Sequence, residues 1–336
     1  MTHEIKSLIK KALQWQKNNL KIALATVVSI EGSSYRRPGV RMLINDKGER
    51  FGAVSGGCVE KEVQIQAQSV LESGTPKMMT YDGRLRLGCE GIIYVLIEPI
   101  MIGLHFSEIF EKNLNNRKEF FSLSYFNLEF GNNKNFGTQF LFEEGIFSLR
   151  ENFKIDQNQL TFKQRFPPLF QFYIFGAEYD AVVLSKSASD LGWQVTIVAP
   201  ADEQKTINYF PGAQKLITPH FDDIDLIKVD NQTAIILMTH SLSKDLQYFM
   251  ALYQTKPAYF GLLGPRKRRE QLIDHLLEHK TDVSLEFIEK LKGPVGINIG
   301  AESAEEISVS ILAEILSVIR KKEPIALTNK NGEIHE

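Results

Sequence analysis

Apolar and β-branched residues come in short runs through the first hundred positions. The runs are Lys21–Ile30 (KIALATVVSI), Val40–Asn45 (VRMLIN), Phe51–Ser55 (FGAVS), Met78–Tyr81 and Gly91–Ile100 (GIIYVLIEPI). Stretches of this length and composition predict β-strands. Between them, Val59, Val63, Ala67, Val70 and Leu71 recur at helical spacing, with Glu60, Lys61 and Glu62 on the other face. That pattern predicts one amphipathic helix, and a second, short helix is expected at about residues 102–117. From Phe120 to Phe166 the pattern returns to short strands. Turn signals stand at Gly131-Asn132-Asn133 and Glu143-Glu144-Gly145, and Pro167-Pro168 punctuates the end.

From Leu169 the texture changes. An apolar run ending at Gly176 (FQFYIFG) is followed by a helix-like stretch (AVVLSKSASDLG) and a second apolar run (WQVTIVA). Further strands are expected at Ala213–Ile217, Thr233–Thr239 and Pro257–Leu263, with helical stretches between them. Strands alternating with helices imply βαβ units and a parallel sheet. Ser303 to Glu306 has the Ser-x-x-Glu form of a capping box and should open the last helix, with Lys321 and Lys322 suited to its C-terminus. The expected fold class is α/β: an N-terminal α+β domain over residues 1–100, a connecting β-rich region over 101–168 that packs on it, and a Rossmann-like, doubly wound domain over 169–336.

A length of 336 residues suits such a division, at about 150 residues per domain. Lys and Arg total 39 against 41 Asp and Glu, a formal charge of -2. That balance gives no whole-molecule attraction to nucleic acid or anionic lipid, so neither is an expected partner. No apolar run approaches the roughly 18 residues of a membrane span. The N-terminal stretch MTHEIKSLIKKALQWQKNNL is charged throughout and has no signal-peptide core. Two cysteines cannot make a disulfide framework, and the expected compartment is a reducing cytoplasm.

Those two cysteines carry the most informative chemistry. Ser55-Gly56-Gly57-Cys58-Val59-Glu60 follows a strand and opens the first predicted helix. Two glycines at such a turn let a ligand approach the backbone, and the free amides of a helix start attract anions. A cysteine in the first turn is favoured as thiolate. The alternative is a tight turn with Cys58 as a small core residue. Cys89 lies in a second glycine-flanked turn, Leu87-Gly88-Cys89-Glu90-Gly91. If the two turns face each other, the thiols could share a ligand or pass a sulfur atom; the alternative is coincidence. Zinc is disfavoured, since neither cysteine has a Cys or His at ligand spacing.

In the C-terminal half, Gly176-Ala177-Glu178-Tyr179-Asp180-Ala181 stands where a dinucleotide fingerprint reads G-x-G-x-x-G/A. Glu178 puts bulk and negative charge where a glycine lets a pyrophosphate approach. The next strand ends Val198-Ala199-Pro200, without the acid that anchors a ribose, and Asp202 lies beyond it. The architecture is kept; ordinary NAD(P) binding is doubted. Thr239-His240 closes one strand, and Gly264-Pro265-Arg266-Lys267-Arg268-Arg269 follows another, so both flank the expected ligand crevice. Arg266 could clamp a phosphate, while Lys267 to Arg269 read as a solvated helix start. A similar basic loop, Ser33 to Gly39, brings Arg36 to the first domain. His275 and His279 stand four apart on a helix, and without a third ligand nearby they read as surface residues.

With these motifs assembled, the chain resembles the XdhC/CoxI family, accessory proteins of molybdenum hydroxylases such as xanthine dehydrogenase. The resemblance rests on ALATVVSIEGSSYRRPGVRMLI, GAVSGGCVEKEV, LGCEGIIYVLIEP, FYIFGAEYDAVVLSKSASDLGWQVTIVAP, ILMTH, YFGLLGPRKRRE and GPVGINIGAESAEEISVSILAEI, in that order. It implies a non-enzymatic maturation factor that binds and protects the molybdenum cofactor (molybdopterin), promotes its sulfuration by a cysteine desulfurase and delivers it to the hydroxylase. It also implies a homo-oligomer. Carried over, it makes Cys58 and Cys89 sulfur-handling groups and candidate molybdenum contacts. Ser55, Gly56 and Gly57 become a cradle for the pterin phosphate. Arg36, Gly176, Glu178, His240 and Arg266 complete the candidate cofactor-binding set. The family commonly has glycine where Glu178 stands and aspartate where Ala199 stands. Two other readings stay open, an NAD(P)-dependent oxidoreductase and a repurposed small-ligand-binding Rossmann protein.

Overall fold

The computed structural model describes residues 2–32, 37–85, 91–150 and 153–330, except the side chains of Cys58, Leu85, Asp222, Asp225 and Leu226. Two compact units are present, one ending at Pro168 and the other spanning Leu169–Lys330. Among the described residues no helix is long and apolar enough to cross a membrane.

The first unit runs α1 (Thr2–Lys17), β1 (Ile22–Glu31), β2 (Arg41–Asn45), β3 (Arg50–Gly52), α2 (Cys58–Ser73), β4 (Lys77–Asp82), β5 (Ile92–Ile100), α3 (Leu104–Asn115), β6 (Phe120–Phe126), β7 (Gly131–Asn132), β8 (Gly137–Phe142), β9 (Gly145–Ser148) and β10 (Leu160–Phe166). A six-stranded antiparallel sheet has the order β3-β2-β1-β5-β4-β7. Alternate residues of β1 (Ala23, Ala25, Val27) share a core with Val59, Val63, Ala67, Val70 and Leu71 of α2, as the helical spacing predicts. On the opposite face, Val28, Met78, Tyr94 and Leu96 pack with Phe126 and Phe136.

Two elements differ from the sequence expectation. Helix α1 is additional: Ile5, Leu8, Ile9, Ala12 and Trp15 are buried along it, a stripe at i, i+3, i+4, i+7 and i+10 that the interspersed lysines obscure. Gly131–Asn132, expected as a turn, is a two-residue edge strand pairing with Lys77 and Met78. A smaller sheet, β10-β6-β8-β9, completes the unit. Buried polar links tie it to the larger sheet. Glu98 on β5 accepts hydrogen bonds from the Thr138 amide (2.9 Å) and hydroxyl (2.5 Å). Arg41 on β2 donates to Ser122 Oγ (2.9 Å) and to Gln164 Oε1. Burial pushes the Glu98 carboxyl up, and its Thr138 hydrogen bonds and the Arg150 and Arg41 cations only partly offset this.

The second unit runs β11 (Gln171–Phe175), α4 (Tyr179–Asp190), β12 (Gln194–Val198), β13 (Ala213–Ile217), β14 (Thr233–Leu237), α5 (Leu242–Leu252), β15 (Tyr259–Leu262), α6 (Arg266–His279), α7 (Leu285–Lys290), β16 (Leu291–Lys292) and α8 (Ala304–Arg320). Its strands are parallel, in the order β13-β12-β11-β14-β15-β16. Helices cover both faces, which is why β11 and β14 read as continuous apolar runs. Phe172 and Ile174 pack with Ala181 and Leu184 of α4 and Ile311 and Ile315 of α8. Phe175 packs with Tyr248 and Phe249 of α5 and Leu272 and Leu276 of α6. The Ser303–Glu306 capping box opens α8.

Candidate functional site

The glycine turn of the first unit begins earlier than the apolar run suggests. Strand β3 ends at Gly52, and α2 starts at Cys58. Gly57 caps the helix at φ 129°, ψ -35°, a conformation that side chains resist and glycine tolerates. Among the described residues, a Cβ at Gly56 or Gly57 would meet nothing within 4 Å, so the turn is open on its outer side. From within, the turn is pinned by a residue outside the sequence-derived set. Glu60 is buried, and its carboxylate accepts from the Ser55 amide (2.6 Å) and the Ser55 hydroxyl (2.9 Å). Burial alone would raise this carboxyl. The hydrogen bonds from Ser55 and from the Glu60 and Gly57 amides outweigh it and hold it below the usual carboxylate range. The Ser55 donors and the Gly57 amide are therefore engaged within the turn, whose exposed residues are Gly56 and Gly57.

Glu60→Gln is expected to cost about 1.5–3 kcal/mol at pH 7, the range for hydrogen bonds to a charged group. Because the folded carboxyl titrates below its ordinary value, the contribution is complete above that ordinary value. It is lost as pH falls through the lowered one. Urea unfolding from neutral to acid pH checks this. The gap between wild type and variant should close at the acid end; a gap independent of pH would contradict the assignment.

Strand register shows how the loops of the first unit are disposed. Glu31 at the end of β1 pairs with Ile92 at the start of β5, and Ile92 pairs with Asp82 at the end of β4. Arg41 at the start of β2 pairs with Thr26 of β1, and the next residue, Met42, pairs with Gly52 at the end of β3. The connections β1–β2, β3–α2 and β4–β5 therefore all leave the sheet toward the same end. Those connections carry Arg36, Ser55 to Gly57 with Cys58 next, and Cys89. Arg36 and Cys89 themselves lie outside the described residues, as does the side chain of Cys58.

In the second unit, β11 and β14 are neighbours at the point where the strand order reverses, the position at which doubly wound sheets hold ligands. Gly176 leaves β11 at φ 144°, and a Cβ there would collide with the Met238 carbonyl oxygen at the end of β14. Beyond it lies a cavity of about 320 Å³ lined by Gly176, Glu178, Asp202, Glu203, Thr239 and Lys244, among others. Three carboxylates thus face one lining ammonium. Lys205 adds a cation 3.8 Å from Glu178 and 3.5 Å from Glu203. His240 adopts a left-handed conformation at φ 57°, costly for a residue with a Cβ. Its Nε2 lies 3.2 Å from Asp180 Oδ2, in the first turn of α4.

The arginines after β15 do not form a solvated group. Arg268 donates to the carboxylate of Asp245 from Nε (3.0 Å) and from a terminal nitrogen (2.5 Å), and Asp245 is 1% exposed. The other oxygen of Asp245 accepts from the Thr239 hydroxyl (2.5 Å) and amide (3.1 Å). Arg269 donates to the carbonyls of Ile288 and Leu291. Arg266 and Lys267 are exposed, as a solvated helix start requires of Lys267, and Arg266 pairs with Glu270 one turn along α6.

Comparison with known proteins places this architecture. The XdhC and CoxI family matches residues 15–82, and the XdhC Rossmann domain matches residues 172–315. A Bacillus subtilis (strain 168) protein, named as a probable xanthine dehydrogenase subunit, is 30% identical over 320 residues, covering 89% of this chain and 93% of its own. The chain belongs to the XdhC and CoxI family. The Escherichia coli (strain K12) protein named "Molybdenum cofactor insertion chaperone PaoD" is 24% identical over 323 residues, covering 95% of this chain and 90% of its own. A crystal structure described as a xanthine dehydrogenase from Bacillus halodurans has 28% identity and a TM-score of 0.77, with 94% of this chain and 96% of that one covered. The XdhC and CoxI match takes in Arg36 and Ser55 to Cys58, the XdhC Rossmann match takes in Gly176, Glu178, His240 and Arg266, and Cys89 falls outside both.

Sequence reasoning missed Glu60, Asp180 and Asp245. Each is an acid in the first turn of its helix, a position favoured by the helix dipole, but the partner it holds is not readable from that position.

Proposed function

We propose that this protein is an accessory factor that binds the molybdenum cofactor, shields it and hands it to a xanthine dehydrogenase-type hydroxylase. The names of the relatives support the general role. The single observation that carries the site is the strand register: the connections bearing Arg36, the Ser55–Cys58 turn and Cys89 leave one end of one sheet. On this reading the amides of Gly56 and Cys58 receive the pterin phosphate, and the thiolates of Cys58 and Cys89 supply soft ligands to a sulfur-bearing metal centre. A cysteine desulfurase would act on the bound cargo, and the factor would work as a homo-oligomer in the cytoplasm.

The crevice of the second unit does not suit a dinucleotide. A pyrophosphate there would meet Glu178, Asp202 and Glu203, three carboxylates that the two cations Lys205 and Lys244 offset only in part, and like charges at close range are destabilising. Fluorescence titration with NADH should therefore give no saturation below about 1 mM for the wild type. Glu178→Gly, which removes both bulk and charge, should strengthen binding. Sub-millimolar binding to the wild type would favour an oxidoreductase instead.

The direct test is retention of cargo. Full-length protein mixed with cofactor freshly released from a denatured molybdoenzyme is passed through a sizing column. Co-elution of molybdenum and pterin near one equivalent per chain is expected. Elution of both at the small-molecule volume would overturn the proposal.

A further inference from the structure

The last turn of α6 holds three donors that the cofactor reading does not use. His275, Glu278 and His279 are spaced i, i+3 and i+4, and such residues share one face of a helix. One donor atom from each lies within 4.8 Å of the others. The two imidazoles are stacked, with centroids 4.0 Å apart and planes at 26°. The sequence reading found no third donor near the two histidines; Glu278, one residue before His279, places a carboxylate beside them.

We propose that His275, Glu278 and His279 form a binding site for a borderline divalent transition metal ion of the zinc(II) or copper(II) type. Two imidazoles and one carboxylate are a donor set that such ions accept, with a fourth position open to water. Magnesium and calcium prefer all-oxygen surroundings. One contact already favours a ligating tautomer of His279. His279 Nδ1 lies 2.9 Å from the His275 carbonyl oxygen. A neutral ring protonated at Nδ1 donates to that carbonyl and leaves the Nε2 lone pair for a metal, the arrangement by which proteins fix the tautomer of a ligating histidine. Position adds to this, since the carbonyl end of a helix carries partial negative charge that favours a cation. Drawing the donors to the roughly 3.4 Å spacing of a tetrahedral ion needs only side-chain rotation on an exposed surface. The site stands at the opposite end of a 14-residue helix from Arg266, about 20 Å away along the axis.

The test uses zinc chloride titrated calorimetrically into the full-length protein. His275→Ala/His279→Ala and Glu278→Gln variants are run beside wild type, and circular dichroism melts confirm that each is folded. Wild type should bind one zinc equivalent that the double variant loses or binds at least about tenfold more weakly, with Glu278→Gln between them. Copper(II) added to the wild type should show nitrogen hyperfine splitting from imidazole in its electron paramagnetic resonance spectrum, absent from the double variant. Zinc binding of equal stoichiometry and affinity in wild type and double variant, or no binding to wild type below about 1 mM, would overturn the proposal. The cysteines are left intact, so a zinc equivalent held by them persists in every variant and does not imitate the predicted loss.

Discussion

Replacing Arg268 with alanine should destabilise the second unit by about 3–5 kcal/mol, the cost of removing one partner from a buried ion pair. The size follows from what remains. Asp245 is 1% exposed and, among the described residues, keeps the Thr239 hydroxyl and amide as its side-chain donors. Its second oxygen, which now accepts two hydrogen bonds from the guanidinium, would face no cation. The effect should reach the crevice, because Asp245 holds Thr239 beside His240. Chemical denaturation monitored by circular dichroism measures it. Arg268→Lys, which restores charge without the fork, should recover part of the loss. Arg266→Ala provides the contrast: its side chain is 84% exposed and its pair with Glu270 is an i, i+4 surface contact, worth about 0.5 kcal/mol or less. An Arg268→Ala variant within 1 kcal/mol of wild type, roughly the scatter of such measurements, would show that the pair does not organise this loop.

Replacing Cys58 with alanine should weaken cofactor retention at least tenfold, about 1.4 kcal/mol or more, while leaving the secondary structure of the first unit intact. Cys58 is the first residue of α2, directly after a glycine whose φ of 129° sets the direction of the helix start. Alanine is the best helix former, so the substitution removes the sulfur without disturbing the helix. Cys89→Ala is expected to act on the same measurement, because its connection leaves the same end of the sheet. The two losses should be non-additive if the thiols share one ligand, as expected for groups acting on a common partner. Retention unaffected by either substitution would remove the cysteines from the site.

Much of the fold was legible because its determinants are local. The β-branched runs at Lys21–Ile30 and Gly91–Ile100 became β1 and β5 within a residue or two, and the stripe from Val59 to Leu71 became the buried face of α2. The parallel sheet followed from alternating strands and helices. What escaped depends on pairing across the chain. Arg268 reads as solvated until α5 brings Asp245, 23 positions earlier, against it. Gly131–Asn132 has the composition of a turn and is a strand only because β4 offers an edge. That the connections bearing Arg36, Cys58 and Cys89 leave the same end of the sheet was likewise not readable, since one end of a sheet is defined by register and not by composition. Helix α1 was legible in principle and obscured by its lysines.

Transfer of the cargo to the hydroxylase is the decisive step. Full-length protein loaded with molybdenum cofactor and re-purified would be added to the cofactor-free form of a xanthine dehydrogenase-type hydroxylase, with hydroxylase activity followed over time. Activity should appear in proportion to the loaded protein added, and fall at least tenfold when the carrier is the Cys58→Ala variant treated identically, in line with its weaker retention. Equal activation by free cofactor at the same concentration, with no gain from the loaded protein, would contradict the assignment.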